Sequence, residues 1–294
     1  MTFSEYPFQP KRIEIRPGIL MSYLDEGPAD APILLMLHGN PSWSYLWRRW
    51  VQELRSEYRC IVPDHVGMGL SDKPDDTQYE YTLDSRIDDV ETLLAKLGIT
   101  KPLTMAVHDW GGGIGFGWAT RHPSQVSRLL ITNTGAFLMP KEKTLPKSLW
   151  LGRDTKLGEF LIRGLNAFAR GTARIGSVRP LPHDIFEGFV KPYDSWANRR
   201  SVLRFVQDIP LQPGDRSYAT VQHTGEKLSQ FADRPTLIFW GLRDFVFDHH
   251  FLKGFQDALP GATVYAYDDA AHYVLEDKAD ESLPLVKEFL ATTA

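Results

Sequence analysis

Three residues have chemistry to offer in a recognisable sequence: Asp109, Asp244 and His272 occur in the chain order nucleophile, acid, base. Asp109 closes a stretch in which the apolar run 103–107 gives way to polar residues, and Trp110 and three glycines follow. That pattern predicts a buried strand turning sharply into a helix, with Asp109 held out at the turn. Small residues must flank such a turn; Gly111 fits and Val107 is only tolerable. Serine in that place would attack an acyl carbon. A carboxylate is a weak base that displaces a leaving group from saturated carbon and leaves an alkyl ester on the protein, so an ordinary ester is a poor expectation for the substrate. Asp109 alone has a plainer reading as the N-cap of the following helix. Its partners argue against that reading.

After the apolar run 32–37 come His38, Gly39, Asn40 and Pro41. The glycine permits a tight turn, and the backbone N–H groups of Asn40 and Trp110 together predict a two-donor oxyanion hole. The Asn40 amide and the Trp110 indole add two neutral side-chain donors, suited to holding a departing anion. Asp244 follows the run 235–240 and His272 follows 262–267. His272 would be the base, and Asp244 would orient and charge-stabilise its imidazole. A solitary histidine near a chain end is usually a surface or core residue, but three residues in this order, each at a strand exit, outweigh that. His38, His65 and His108 read as structural, bonding loop carbonyls, and His249 and His250 as opening a surface helix. Neither group has metal-ligand company, so no metal and no cofactor is expected. The single cysteine, Cys60, reads as buried packing and excludes an internal disulfide.

The elements that must position these residues alternate along the 294-residue chain. Strand-like runs fall at 12–16, 19–24, 32–37, 59–63, 103–107, 126–132, 235–240 and 262–267, and helical patterns separate most of the later ones. This order predicts an α/β protein with a mostly parallel eight-stranded sheet wrapped by helices, whose ligands bind outside the carboxyl ends of the strands. Between Thr134 and Gln230 no strand is convincing. Leu157, Phe160, Leu161, Leu165 and Phe168 share a helical face there. Residues 137–211 therefore read as a helical cap inserted into a core of 1–136 and 212–294. Residues 141–204 hold thirteen Lys or Arg against six Asp or Glu, a balance of +7 in a chain of net charge −4. A solvated helical surface explains that basic cap better than a docking face for an acidic partner or a carboxylated substrate. The composition, 43% hydrophobic and 24% charged, is ordinary for a globular protein. With no secretory pattern at the N-terminus and no apolar run long enough to span a bilayer, the expectation is a cytoplasmic enzyme with no nucleic-acid partner. An oligomer stays open.

Four motifs carry a family resemblance: HGNP at 38–41 with Trp43, DHVGMGLS at 64–71 with Asp72, Lys73 and Pro74, VHDWGG at 107–112, and AHYVLED at 271–277. Over essentially the whole chain, most weakly in the cap, the sequence resembles haloalkane dehalogenases of the α/β-hydrolase superfamily. An aspartate acid after the penultimate strand, combined with an asparagine and tryptophan anion site, is similar to their third subfamily. In the second subfamily the acid is a glutamate after the strand preceding the cap, where this chain offers Asn133 and Thr134. In the first, a cap tryptophan is the second anion donor. Several stretches resemble more closely the bacterial β-lactone decarboxylases of long-chain olefin biosynthesis: residues 6–28, SDKPDD at 71–76, YTLDSRIDD at 81–89, KPYDSWANR at 191–199 and RFVQDIPL at 204–211.

The resemblance implies the α/β-hydrolase fold and one shared first step. Asp109 attacks a saturated carbon of a small hydrophobic substrate, and an anion departs toward Asn40 and Trp110. A haloalkane would release halide, and His272 would then activate water to free an alcohol. A β-lactone would release its ring carboxylate, which can lose CO2 and expel Asp109 as a cis-alkene forms. The decarboxylase is the expected function and the dehalogenase the alternative. Epoxide hydrolysis fits less well, because an opening epoxide wants a proton donor and Asn40 and Trp110 are weak acids. Fluoroacetate-type dehalogenation fits worse, since His65 stands where an arginine would be asked for. Outside enzymes, the competing reading is a catalytically silent receptor of the same fold. The resemblance also implies a thiolase-like condensing enzyme and a lactone-forming synthetase as partners, with Arg199 and Arg200 as candidate contacts.

Overall fold

The computed structural model describes residues 2–293. Its sheet is built from β1 (Lys11–Arg16), β2 (Ile19–Glu26), β3 (Ile33–Leu37), β4 (Arg59–Pro63), β5 (Leu103–Asp109), β6 (Val126–Thr134), β7 (Thr236–Gly241) and β8 (Thr263–Tyr267). The strand order is β1-β2-β4-β3-β5-β6-β7-β8. β2 pairs antiparallel with β1 and β4, and every other pairing is parallel. Parallel strands need crossover connections that cover the sheet on both faces, so the central strands read as continuous apolar runs. All seven residues of β5 are buried.

Strands β2, β5 and β6 each run two residues further than their apolar runs suggest. β5 and β6 each end two residues later than expected, because His108, Asp109, Asn133 and Thr134 continue the ladder: His108 faces Thr132, and Asp109 faces Thr134. Polar residues stay in these strands because their side chains find partners. The Thr132 hydroxyl donates to the Val107 carbonyl at 2.9 Å, and that of Thr134 donates to the Asp109 carbonyl.

Three helices lie between the early strands, α1 (Arg48–Leu54), α2 (Leu83–Lys96) and α3 (Trp110–Arg121). Between β6 and β7 the described residues carry helices and no strand: α4 (Lys147–Asp154), α5 (Lys156–Glu159), a π-helical turn (Phe160–Gly164), α6 (Ala167–Ile175), α7 (His183–Val190), α8 (Arg200–Gln207) and α9 (Tyr218–Glu226), joined by loops. The chain closes with α10 (His249–Ala258), α11 (Val274–Asp277) and α12 (Ala279–Thr292). The inserted helices reach the core through buried polar contacts. The Trp43 indole donates to the Gly188 carbonyl at 2.9 Å, and the Tyr193 hydroxyl donates to the Ser42 carbonyl at 3.1 Å. No helix among the described residues is long and apolar enough to cross a membrane.

Candidate active site

Asp109 sits between β5 and α3 with φ 53° and ψ −129°. A non-glycine residue at positive φ is held there by its surroundings at a cost. It occupies the N-cap position of α3, yet its side chain makes no capping bond. Its Oδ1 instead accepts the backbone N–H of Asn40 at 2.5 Å. The turn needs glycine nearby: a Cβ on Gly39 would lie 1.9 Å from Asp109 Oδ1, and one on Gly111 would lie 2.1 Å from the Leu37 carbonyl oxygen.

His272 stands on the other side. Its Nε2 is 3.7 Å from Asp109 Oδ2, and its Nδ1 is hydrogen-bonded to Asp244 Oδ2 at 2.8 Å. All three side chains are buried. Burial raises the Asp109 carboxyl, against the lowering pull of His272 and of the Trp110 and Asn40 backbone N–H groups, and leaves it at about 6. Burial by itself would depress His272; the charge and hydrogen bond of Asp244 and the charge of Asp109 outweigh it, so the imidazole is held above its ordinary value. The pair is thus tuned toward neutrality for the acid and toward charge for the base.

A buried carboxylate at the strand–turn–helix junction closing β5, a buried acid after β7 and a histidine after β8 of one mostly parallel sheet define an architecture, and the α/β hydrolase fold family matches residues 32–279. The chain belongs to that family. Within it, this α/β hydrolase is 56% identical to the cis-3-alkyl-4-alkyloxetan-2-one decarboxylase of Xanthomonas campestris pv. campestris, over 99% of this chain and 98% of the relative. It is 50% identical to the protein of the same name from Shewanella oneidensis, over 95% and 87%. A haloalkane dehalogenase of Mycobacterium marinum is 29% identical over 94% and 92%. Among solved structures it resembles a haloalkane dehalogenase of Bradyrhizobium elkani, with a TM-score of 0.88, 25% identity and coverage of 97% of this chain and 98% of that one.

The hydrolase cavity opens onto Asn40, Asp109, Trp110 and His272 and is otherwise apolar, walled by Phe137, Phe168, Phe245, Phe247 and Phe251 among others. Its core side and its inserted helices both contribute. Asn40 Nδ2 donates to the Val202 carbonyl of α8 at 3.1 Å, and an amide carries a second N–H for a ligand. The Trp110 ring packs on Phe205 of α8, with centroids 5.5 Å apart. Beneath Phe205, the fully buried guanidinium of Arg86 lies 3.6 Å from the ring centroid.

Several supports escaped the sequence reading. Asn133, noted there only for not being an acid, donates from Nδ2 to Asp244 Oδ2 and to the Gly241 carbonyl, both at 3.0 Å, and accepts the Gly241 N–H at 2.8 Å. A polar residue at the exit of β6, next to the strand that carries the acid, was the available signal. Lys143 is the one charged cavity residue besides Asp109 and His272 among the described residues. It donates to Asp248 Oδ2 at 2.7 Å. The remaining buried histidines meet loop carbonyls: His38 Nδ1 lies 2.8 Å from the Gly39 oxygen, His65 Nε2 2.9 Å from that of His38, and His108 Nε2 2.9 Å from that of His272. Burial depresses all three, so they stay neutral. Asp248, His249 and His250 bring three ligand-type atoms together at the start of α10, but Lys143 and the His250 N–H already engage the Asp248 carboxylate. Burial pushes the Cys60 thiol up to about 12, which removes it as a nucleophile.

Proposed function

We propose that this hydrolase is a cis-β-lactone decarboxylase in which Asp109 is the nucleophile, Asp244 and His272 complete the catalytic set, and residues 137–211 form the cap over the cavity. The observation that carries the reading is the buried Asp109 carboxylate, its Oδ2 3.7 Å from His272 beside an apolar cavity, in a chain 56% identical to a named oxetan-2-one decarboxylase. Oδ2 attacks the ring carbon that bears oxygen, and the C–O bond breaks with inversion. The ring carboxylate leaves toward the Asn40 amide and the Trp110 indole, which need donate no proton to so stable an anion. The enzyme now holds an alkyl ester whose alkyl group carries that carboxylate. Cleavage of its C–CO2 bond supplies the electron pair of the new C=C bond and expels Asp109 as carboxylate. Anti departure after inversion returns the cis geometry of the lactone to the alkene. Atoms balance without water, so His272 serves as a charge partner to Asp109.

A hydrolytic second reading rests on the same geometry. The Asp244 bond leaves His272 Nε2 free to activate water beside Asp109, and the structural neighbours are haloalkane dehalogenases. Incubation with a cis-β-lactone in oxygen-18 water separates the two. We expect cis-alkene and CO2 as the products, with no oxygen-18-labelled β-hydroxy acid or alcohol, and no product from Asp109→Ala. A labelled β-hydroxy acid or alcohol as the main product would overturn the decarboxylase reading.

A strained lactone must be made shortly before it is consumed, which supports a lactone-forming synthetase and a thiolase-like condensing enzyme as partners. Arg199 is held internally by the Tyr193 and Arg163 carbonyls, and Arg200 by Asp76, so a partner would meet other residues.

A further inference from the structure

Seven of the eight exposed large apolar residues among the described residues lie between 150 and 196; Leu242 is the exception. Five of them, Trp150, Leu157, Phe160, Leu165 and Trp196, are each between 46% and 59% exposed. They belong to one corner of the molecule. α4 packs on α5, α5 runs into the π-helical turn, and Trp196 is stacked under Arg163 of that turn at 4.5 Å. A water-facing surface of a monomer normally scatters such side chains singly. Here they are gathered beside the cavity wall: Trp150 shares α4 with Leu149, which lines the cavity, and the π-helical turn leads into α6, whose Phe168 also lines it.

The charges on these helices sharpen the choice of what covers them. Lys147 and Lys156 flank the corner, are exposed, and make no ion pair among the described residues, whereas the acids beside them, Asp154 and Glu159, are bound to Arg153 and Arg163. Residues 141–204 carry +7 against −4 for the whole chain, leaving −11 on the rest. A molecule so polarised turns its basic side toward a negative surface and its acidic side away. Tryptophan, phenylalanine and leucine interleaved with lysine is the composition that settles at the boundary of an anionic bilayer.

We infer that the α4–α5–π-turn corner of the cap docks on an anionic phospholipid surface, from which the enzyme takes its dialkyl lactone and to which it returns the alkene. This occupant rests on the lactone reading, because both molecules carry two hydrocarbon chains and partition into bilayers. Binding can be measured without substrate, so the two readings fail separately.

The test is cosedimentation of the full chain with vesicles of phosphatidylglycerol and phosphatidylcholine, against vesicles of phosphatidylcholine alone. We expect binding to the first, weakening as salt is raised, and little to the second. Lys147→Glu with Lys156→Glu should cut the partition constant by about twenty-five-fold or more, taking roughly fivefold per basic side chain near an anionic surface. Trp150→Ser with Phe160→Ser should reduce it similarly through lost apolar insertion. Both double variants should keep the melting temperature and the turnover of a short, water-soluble lactone. No binding to anionic vesicles, or equal binding by the variants, overturns the proposal. So does a change in sedimentation velocity showing that the corner joins copies of this chain, or retention of the patch's effect only when a partner protein is added. A hydrolysed product from lactone in vesicles would sink the lactone reading and leave the binding result standing.

Discussion

As the proposed nucleophile, Asp109 meets two opposing demands at one atom pair. A nucleophile must be ionised, yet the dry cavity that makes it reactive also penalises its charge. Burial wins in part, and the carboxyl settles at about 6. The sign of the resulting pH dependence follows directly. A protonated carboxyl cannot attack, so kcat/KM on a β-lactone should be flat above that value and fall about tenfold per pH unit below it. His272 allows a sharper discrimination. Hydrolysis needs a neutral imidazole as base, and this imidazole is held above its ordinary value by Asp244 and Asp109 despite burial. A hydrolytic reaction should therefore lose activity at a higher pH than the carboxyl alone dictates, with a second acid limb, whereas decarboxylation should show the single limb of Asp109. Initial rates across pH 4.5–8.5, roughly two units either side of an ordinary histidine, distinguish the profiles; a double limb with lactone would assign His272 a proton-transfer role.

At the scale of elements, what was legible in the sequence was what the chain encodes locally. The parallel strands stand out because a strand covered on both faces has no polar positions to interrupt it, and the strand exits pointed to Asp109, Asp244 and His272 because apolar runs end there. The supports were hidden, because they come from distant segments. Nothing near Trp110 in sequence announces Phe205, which is 95 residues further on in α8, or Arg86 in α2 behind it. The pattern of the inserted region showed helices but not which face of α8 would meet the site. α8 does three jobs at once: Val202 receives the Asn40 amide, Phe205 backs Trp110, and Val206 walls the cavity. Phe205→Ala should therefore lower both stability and rate. The ring is fully buried, so about 3–5 kcal/mol of unfolding free energy should be lost in denaturant titrations. Trp110 would lose its backing, and kcat should fall by up to about a hundredfold, the scale of an ångström's misplacement. Phe205→Leu, which keeps most of the packing, should recover stability more than rate; recovery of both together would reduce Phe205 to a core residue.

The strand core and the inserted helices meet around one apolar cavity, so the polar links between them set how firmly the cavity is closed. Most of these links involve backbone carbonyls. Others are ion pairs: Arg200 and Arg204 of α8 both hold Asp76, and Lys143, from the stretch leading out of β6, reaches Asp248 at the start of α10 and also the Phe245 carbonyl at 3.2 Å. The Lys143 pair borders the cavity. Its side chains are 11% and 21% exposed, so solvent screens it only partly. Burial would raise the Asp248 carboxyl, but the Lys143 hydrogen bond, the His250 N–H and the Lys143 charge outweigh it and hold it below the ordinary aspartate value. A group whose folded value is depressed contributes stability that is complete above the unfolded value and disappears as pH falls through the folded one. The link should thus stabilise the protein at neutral pH and stop doing so in acid. A double-mutant cycle of Lys143→Met and Asp248→Asn should give a coupling of about 1 kcal/mol at pH 7, the upper end for a partly screened pair. The coupling should fade as pH falls through the depressed Asp248 value, below the ordinary aspartate range. Because Lys143 also lines the cavity, Lys143→Met should lower KM for long-chain lactones relative to short ones while kcat on the short lactone holds. A coupling near zero at pH 7 with unchanged KM values would show that this pair does not hold the cavity closed, leaving that to the Asp76 pairs of Arg200 and Arg204 and the carbonyl contacts of Trp43, Asn40 and Tyr193.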